Sequence, residues 1–204
     1  MNVAIFGATG MIGQGVLREC LHDPDVVVAK AVGRSATGAT HPKLRDVVFR
    51  DMRSVTAIEP ELRDIDACFF CIGVTSAGKA EAAYEHVTYD IPVAAATTLA
   101  RLNPSMTFIY VSGAGADSSE HGRGDVGTRE GKSRERNLYN VLYALFRPLL
   151  PVLRRVFRGY VLTTDEIGLA MLIVARRDAP KRVLESRNIS ALLESRTGST
   201  TTSS

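Results

Sequence analysis

Short β-branched and aliphatic runs alternate with stretches of helical spacing through the first half of the chain. Val3 to Phe6, Val26 to Val32, Val47 to Phe49, Ala67 to Ile72 and Thr107 to Ser112 are predicted as strands. Their near-continuous apolar character predicts burial on both faces, which a parallel sheet covered by crossover helices provides. The expected fold class is α/β, a doubly wound parallel sheet with helices on both faces. Between the first two runs, Ile12, Val16 and Cys20 recur at helical spacing with Leu17 and Leu21 beside them. His22-Asp23-Pro24-Asp25 stops that helix.

The later chain is less regular. Gly113 to Arg136 is polar and glycine-rich and reads as a long loop, and Leu138 to Phe146 reads as a helix ended by Pro148. Thr163-Thr164-Asp165-Glu166 has the hydroxyl-then-Glu spacing of a capping box, and Ile167, Ala170, Met171 and Val174 continue it at helical intervals. Residues 1–194 are expected to form one domain. Residues 195–204, whose last eight hold no apolar side chain, are expected to be a disordered tail.

The 204 residues, 45% hydrophobic and 23% charged, exclude a disordered or fibrous chain. A net charge of +3 falls short of a nucleic-acid footprint, so no nucleic-acid partner is expected. Three cysteines are too few for a disulfide framework and point to a reducing compartment, with the cytoplasm as the expected location. Leu138 to Phe157 is broken by Arg147, Pro148, Pro151, Arg154 and Arg155, and no membrane span is expected. The basic, apolar region 138–162 is a candidate for a homo-oligomer or peripheral contact. No metal site is expected, because the histidines are scattered.

The strongest chemical signal is the turn Gly7-Ala8-Thr9-Gly10-Met11-Ile12-Gly13, placed after the first strand and opening the first helix. A dinucleotide pyrophosphate needs backbone N–H donors and the positive end of a helix dipole, with no side chain obstructing its approach. In that reading Gly7 lets the strand turn, Gly10 admits the phosphates and Gly13 lets the helix lie close. At the end of the second strand stands Gly33-Arg34-Ser35. An acidic residue there would favour NAD by bonding the ribose hydroxyls, whereas Arg34 offers a planar cation to a 2′-phosphate and Ser35 a hydroxyl. The expected cofactor is NADP, with NAD as the alternative. A solvated arginine at a strand end is the competing reading. Gly73, after the fourth strand, permits close passage beside a bound cofactor. Cys68 and Cys71 have C-x-x-C spacing, but residues three apart on a strand face opposite sides, so both are read as buried thiols.

The segments GATGMIG, VGRS, DACFFCIGVTSAG and FIYVSGAGADSSE together resemble the atypical short-chain dehydrogenase/reductase superfamily. The likeness is greatest to the oxidoreductases similar to the Tat-interacting protein, the NAD-dependent epimerase/dehydratase type. It covers residues 1 to about 121 and resumes over about 137 to 194. The resemblance implies a Rossmann-like NAD(P)-binding domain in which Gly7, Gly10 and Gly13 hold the pyrophosphate, Arg34 the adenosine phosphate and Gly73 the nicotinamide half. It also implies that Ser112 is the hydroxyl near the reacting carbonyl, although a strand-end serine capping a turn is an equal alternative.

One departure cuts against that likeness. The superfamily's proton donor is a Tyr four residues before a Lys, and none of the six tyrosines here has that Lys. The segment that would carry a sixth strand is also short, leaving the fifth as an exposed edge unless region 138–157 or a partner covers it. Two functions follow: an NADP-preferring oxidoreductase on a small carbonyl or alcohol substrate, or a non-catalytic NADP-binding regulator or scaffold that has lost the Tyr and Lys pair.

Overall fold

The structure, a computed structural model, describes residues 1–50, 55–73, 89–111, 162–177 and 183–198. Five strands are present among them: β1 (Asn2–Phe6), β2 (Val28–Gly33), β3 (Leu44–Val48), β4 (Ala67–Phe70) and β5 (Thr107–Tyr110). All neighbours pair in parallel, in the order β3-β2-β1-β4-β5. The chain runs outward from β1 through β2 to β3, then returns to the other side of β1 with β4. That reversal between β1 and β4 is the topological switch point of a Rossmann-like α/β fold.

Among the described residues the helices are α1 (Met11–His22), α2 (Ile91–Leu102), α3 (Thr164–Arg176) and α4 (Ser186–Gly198), with a short 3-10 stretch at Val55–Leu62. The alternation of side chains on each strand splits the core into two layers. Val3, Ile5, Ala67 and Phe69 pack with Val16 and Cys20 of α1 and Leu172 of α3 on one face. Phe6, Cys68 and Phe70 pack with Leu62 and with Ala95 and Leu99 of α2 on the other. Phe6 and Phe70 stack across the paired strands, with ring centroids 5.4 Å apart. Each such ring, fully buried, contributes roughly 1.5–3 kcal/mol.

Asn103 joins the second layer to the sheet as a buried polar anchor. Its side-chain oxygen accepts from the Ile65 N–H at 3.0 Å, and its amide donates to the carbonyls of Leu62 at 2.8 Å and Leu99 at 3.3 Å. Those bonds offset the cost of taking the amide out of water.

Several sequence expectations need adjustment. Continuous burial holds for β4, while β3 and β5 at the two edges are only partly covered. An edge strand has one lateral neighbour and lies at the margin of the helical layer, so part of its surface stays wet. The third strand begins at Leu44 rather than Val47, because pairing to β2 holds it from Ala29↔Leu44 onward. Residues 34–43, which link β2 to β3, carry no helix. Gly38 at φ +74° and Pro42 break that short connection, and it holds no apolar repeat for a helix to bury. Helix α4 runs through Gly198, into the segment expected to be a tail. The predicted regions at 113–136 and 138–146, all of 138–162 but its last residue, and Ser112 lie outside the described residues.

Candidate functional site

The C-terminal ends of β2, β1 and β4 lie side by side, and each continues into one of the segments singled out by sequence. From β1 the chain turns through Gly7 at φ +81°, a conformation that side chains with a Cβ rarely adopt. The Gly7 N–H donates to the Val32 carbonyl at 3.0 Å, tying the turn to β2. A Cβ on Gly7 would also lie 3.0 Å from Ile72 Cγ1 and 3.1 Å from the Cys71 carbonyl carbon, just after β4. The turn is thus wedged between the two neighbouring strand ends.

Gly10 closes the turn, its N–H donating to the Gly7 carbonyl at 2.9 Å, and its own carbonyl accepts the first helical bond from Gln14. The Gln14 side-chain amide reaches back to the Thr9 carbonyl at 3.0 Å. Gly13 has no room for a side chain: a Cβ there would fall 2.1 Å from the Gly7 oxygen and 2.9 Å from Ala8 Cα, both backbone atoms. Glycine at 13 is what lets α1 start immediately against the turn.

The resulting helix start is bare. Gly10 makes no side-chain cap, and no acidic residue stands in the first turn. The N–H groups of Met11, Ile12 and Gly13 precede the first helical bond and have no intrahelical acceptor. Thr9, Gly10 and Met11 are exposed, Met11 by 80%, while Ile12 is half-buried and Gly13 buried. Among the described residues no side chain caps the positive end of the helix dipole at the switch point, an arrangement that favours an anion. Gly73 lies nearby in the fold, and a Cβ on it would meet nothing within 4 Å among the described residues.

Arg34 and Ser35 follow β2 at the same sheet edge, and both are exposed. Arg34 makes no ion pair among the described residues. Ser112, the residue proposed beside the reacting carbonyl, lies outside the described residues.

Cys68 and Cys71 face opposite layers, Cys68 fully buried with α2 and Cys71 half-buried against the α1 layer. Burial pushes the Cys71 thiol up to about 12 and raises Cys68 and Cys20 well above the ordinary thiol range. All three stay protonated at neutral pH.

Two features escaped the sequence. Gly15, which the motif does not use, supports a close helix crossing: a Cβ there would lie 2.6 Å from the backbone of Thr164. A Cβ on Gly168 would lie 2.9 Å from Val16 Cα. The paired glycines bring α3 onto α1, and the buried stripe of α3 is centred on Gly168, Ala170, Met171 and Leu172 rather than on Ile167 and Val174. The second feature is a bond network on the loop that carries Arg34: Asp46 of β3 accepts from both the N–H and the hydroxyl of Thr37.

A family model described as semialdehyde dehydrogenase, NAD binding domain, matches residues 2–125. No curated protein matches the chain. Solved structures with similar folds include uronate dehydrogenase from Agrobacterium tumefaciens, at 14% identity over 54% of this chain and 40% of that one, TM-score 0.46. The oxidoreductase ylbE from Lactococcus lactis is 22% identical over 55% of this chain and 48% of that one, TM-score 0.43. Yeast methylglyoxal/isovaleraldehyde reductase Gre2, complexed with NADPH, is 16% identical over 55% and 37%, TM-score 0.47. The chain spans less than half the length of each of these three.

Proposed function

The chain belongs to the family of semialdehyde dehydrogenase NAD-binding domains, and from that membership we propose that it binds NADP in preference to NAD within an oxidoreductase acting on a small carbonyl or alcohol. The observation that carries this reading is the uncapped start of α1 over the three-glycine turn at the switch point. The residues present fit the group. The free amides of Met11, Ile12 and Gly13 would hold the pyrophosphate, with Ala8 and Thr9 in the turn beneath it. Arg34 and Ser35 would take the adenosine 2′-phosphate, and Gly73 would leave room for the nicotinamide half. When bound, the nicotinamide supplies or accepts the hydride, and the protein's part is to orient it and exclude competing reactions.

Burial keeps the three thiols of this chain protonated at neutral pH, so none of them is assigned a role in the chemistry. Ser112 is the hydroxyl we assign beside the reacting carbonyl. The finer likeness, to the atypical short-chain dehydrogenases similar to the Tat-interacting protein, rests on the sequence segments alone. Absence of the Tyr-x-x-x-Lys pair favours the second reading, a nucleotide-binding regulator without turnover.

Titration of the purified protein with NADPH and NADH, followed by nucleotide fluorescence, tests the binding. Micromolar binding with NADPH the tighter supports the reading, and equal affinities remove the role of Arg34. A screen of NADPH consumption against small aldehydes, semialdehydes and ketones then separates enzyme from regulator: tight binding with no turnover across the panel selects the second.

A further inference from the structure

Asp46 lies on β3 opposite Ala31 of β2. Its Oδ1 accepts from the Thr37 backbone N–H at 3.1 Å, and its Oδ2 accepts from the Thr37 hydroxyl at 3.2 Å. The same hydroxyl oxygen accepts from the Ala39 N–H at 3.3 Å. Gly38, between the two, takes φ +74°, and a Cβ there would meet nothing within 4 Å among the described residues. Both ends of the segment from Arg34 are thus fixed, by β2 at Gly33 and by the carboxylate at Thr37. No helix and no buried apolar side chain holds it otherwise, since residues 34–40 are exposed or half-buried.

We propose that Asp46 is a positioning residue for nucleotide discrimination: by clamping Thr37 it sets the loop so that Arg34 and Ser35 stand ready for a phosphate monoester. The proposal rests on the reading that Arg34 takes the adenosine 2′-phosphate. Asp46 itself does not touch the nucleotide. Its negative charge would repel a dianion, but both of its oxygens are turned to Thr37. Preorganisation is what the clamp contributes: a loop already shaped loses less conformational freedom when the phosphate arrives. The effect should fall on the nucleotide that carries the 2′-phosphate, the group that Arg34 and Ser35 would take.

Calorimetric titration with NADPH and with NADH, on the wild type and on Asp46→Ala, Asp46→Asn and Arg34→Ala, tests it. Asp46→Ala is expected to weaken NADPH about tenfold and to leave NADH within about twofold. Asp46→Asn keeps an acceptor for the Thr37 N–H and a donor for its hydroxyl, so it should restore the preference. An unchanged NADPH to NADH ratio in Asp46→Ala, with Arg34→Ala losing it, overturns the clamp while leaving the Arg34 reading intact. Equal loss of both nucleotides in Asp46→Ala marks a merely structural role and also overturns it. If Arg34→Ala leaves the ratio unchanged, the underlying reading fails and the clamp with it. Thermal melts of each variant confirm that the fold is kept.

Discussion

Helices α1 and α3 lie together on one face of the sheet and run the same way, yet their N-termini are built in opposite manners. Contacts from Thr164 to Gly15, from Gly168 to Val16 and from Arg176 to Asp23 follow the two helices in parallel register. At α3, Thr163 accepts from the Glu166 N–H at 3.1 Å, and Glu166 accepts from the Thr163 N–H at 2.6 Å. Asp165 and Glu166 fill the first turn, and Asp165 pairs with Arg18 of α1. The positive end of that dipole is neutralised from within the chain. At α1 the cap is a glycine, and no acid is present. The start of α3 is satisfied by its own side chains, whereas among the described residues the start of α1 is not.

The largest test of that contrast is Gly13→Ala. The added methyl meets the Gly7 backbone, which cannot withdraw without moving β1, so a loss of about 3 kcal/mol is expected. Chemical denaturation measures it, and nucleotide titration should find binding abolished. Unchanged affinity would remove the turn from the site. Gly168→Ala is next, at about 2 kcal/mol, since its methyl would press on the α1 backbone at Val16. Its melting temperature should fall while NADH affinity is largely kept, because the crossing holds α1 from behind without forming the anion site.

Met11→Glu sharpens the comparison by giving α1 the kind of first-turn acid that α3 has. Met11 is exposed, so the fold should not suffer. Dinucleotide affinity should drop about tenfold, close to 1.4 kcal/mol, and the melting temperature should hold or rise slightly. Equal affinity in this variant would show that the α1 dipole does not meet the ligand. The smallest effect is expected from Thr163→Ala, which opens the capping box: about 1 kcal/mol of stability and a melting temperature roughly 2–4 °C lower, with nucleotide binding unaltered.

Local chemistry made much of this legible. The capping box at Thr163 and Glu166 needs only the spacing of a hydroxyl and a carboxylate, and it forms where the spacing predicts it. The glycine turn after β1 and the buried apolar runs of β1 and β4 likewise state their conformations through residue type, since sterics and burial act within a few residues. What adjacent positions in the chain do not reveal are contacts between segments far apart in it. Gly15 and Gly168 look like ordinary helix-weakening residues until the crossing brings each against the other helix's backbone. Asp46 reads as a charged residue in an edge strand, and only the pairing of β3 beside β2 delivers its carboxylate to Thr37. The sequence by itself determined the parallel sheet and the bare helix start, because both follow from local sterics and the period of apolar residues. The tertiary structure alone decided which glycines meet at the helix crossing and which loop is clamped, because those depend on strand order and helix crossing, which no local pattern encodes.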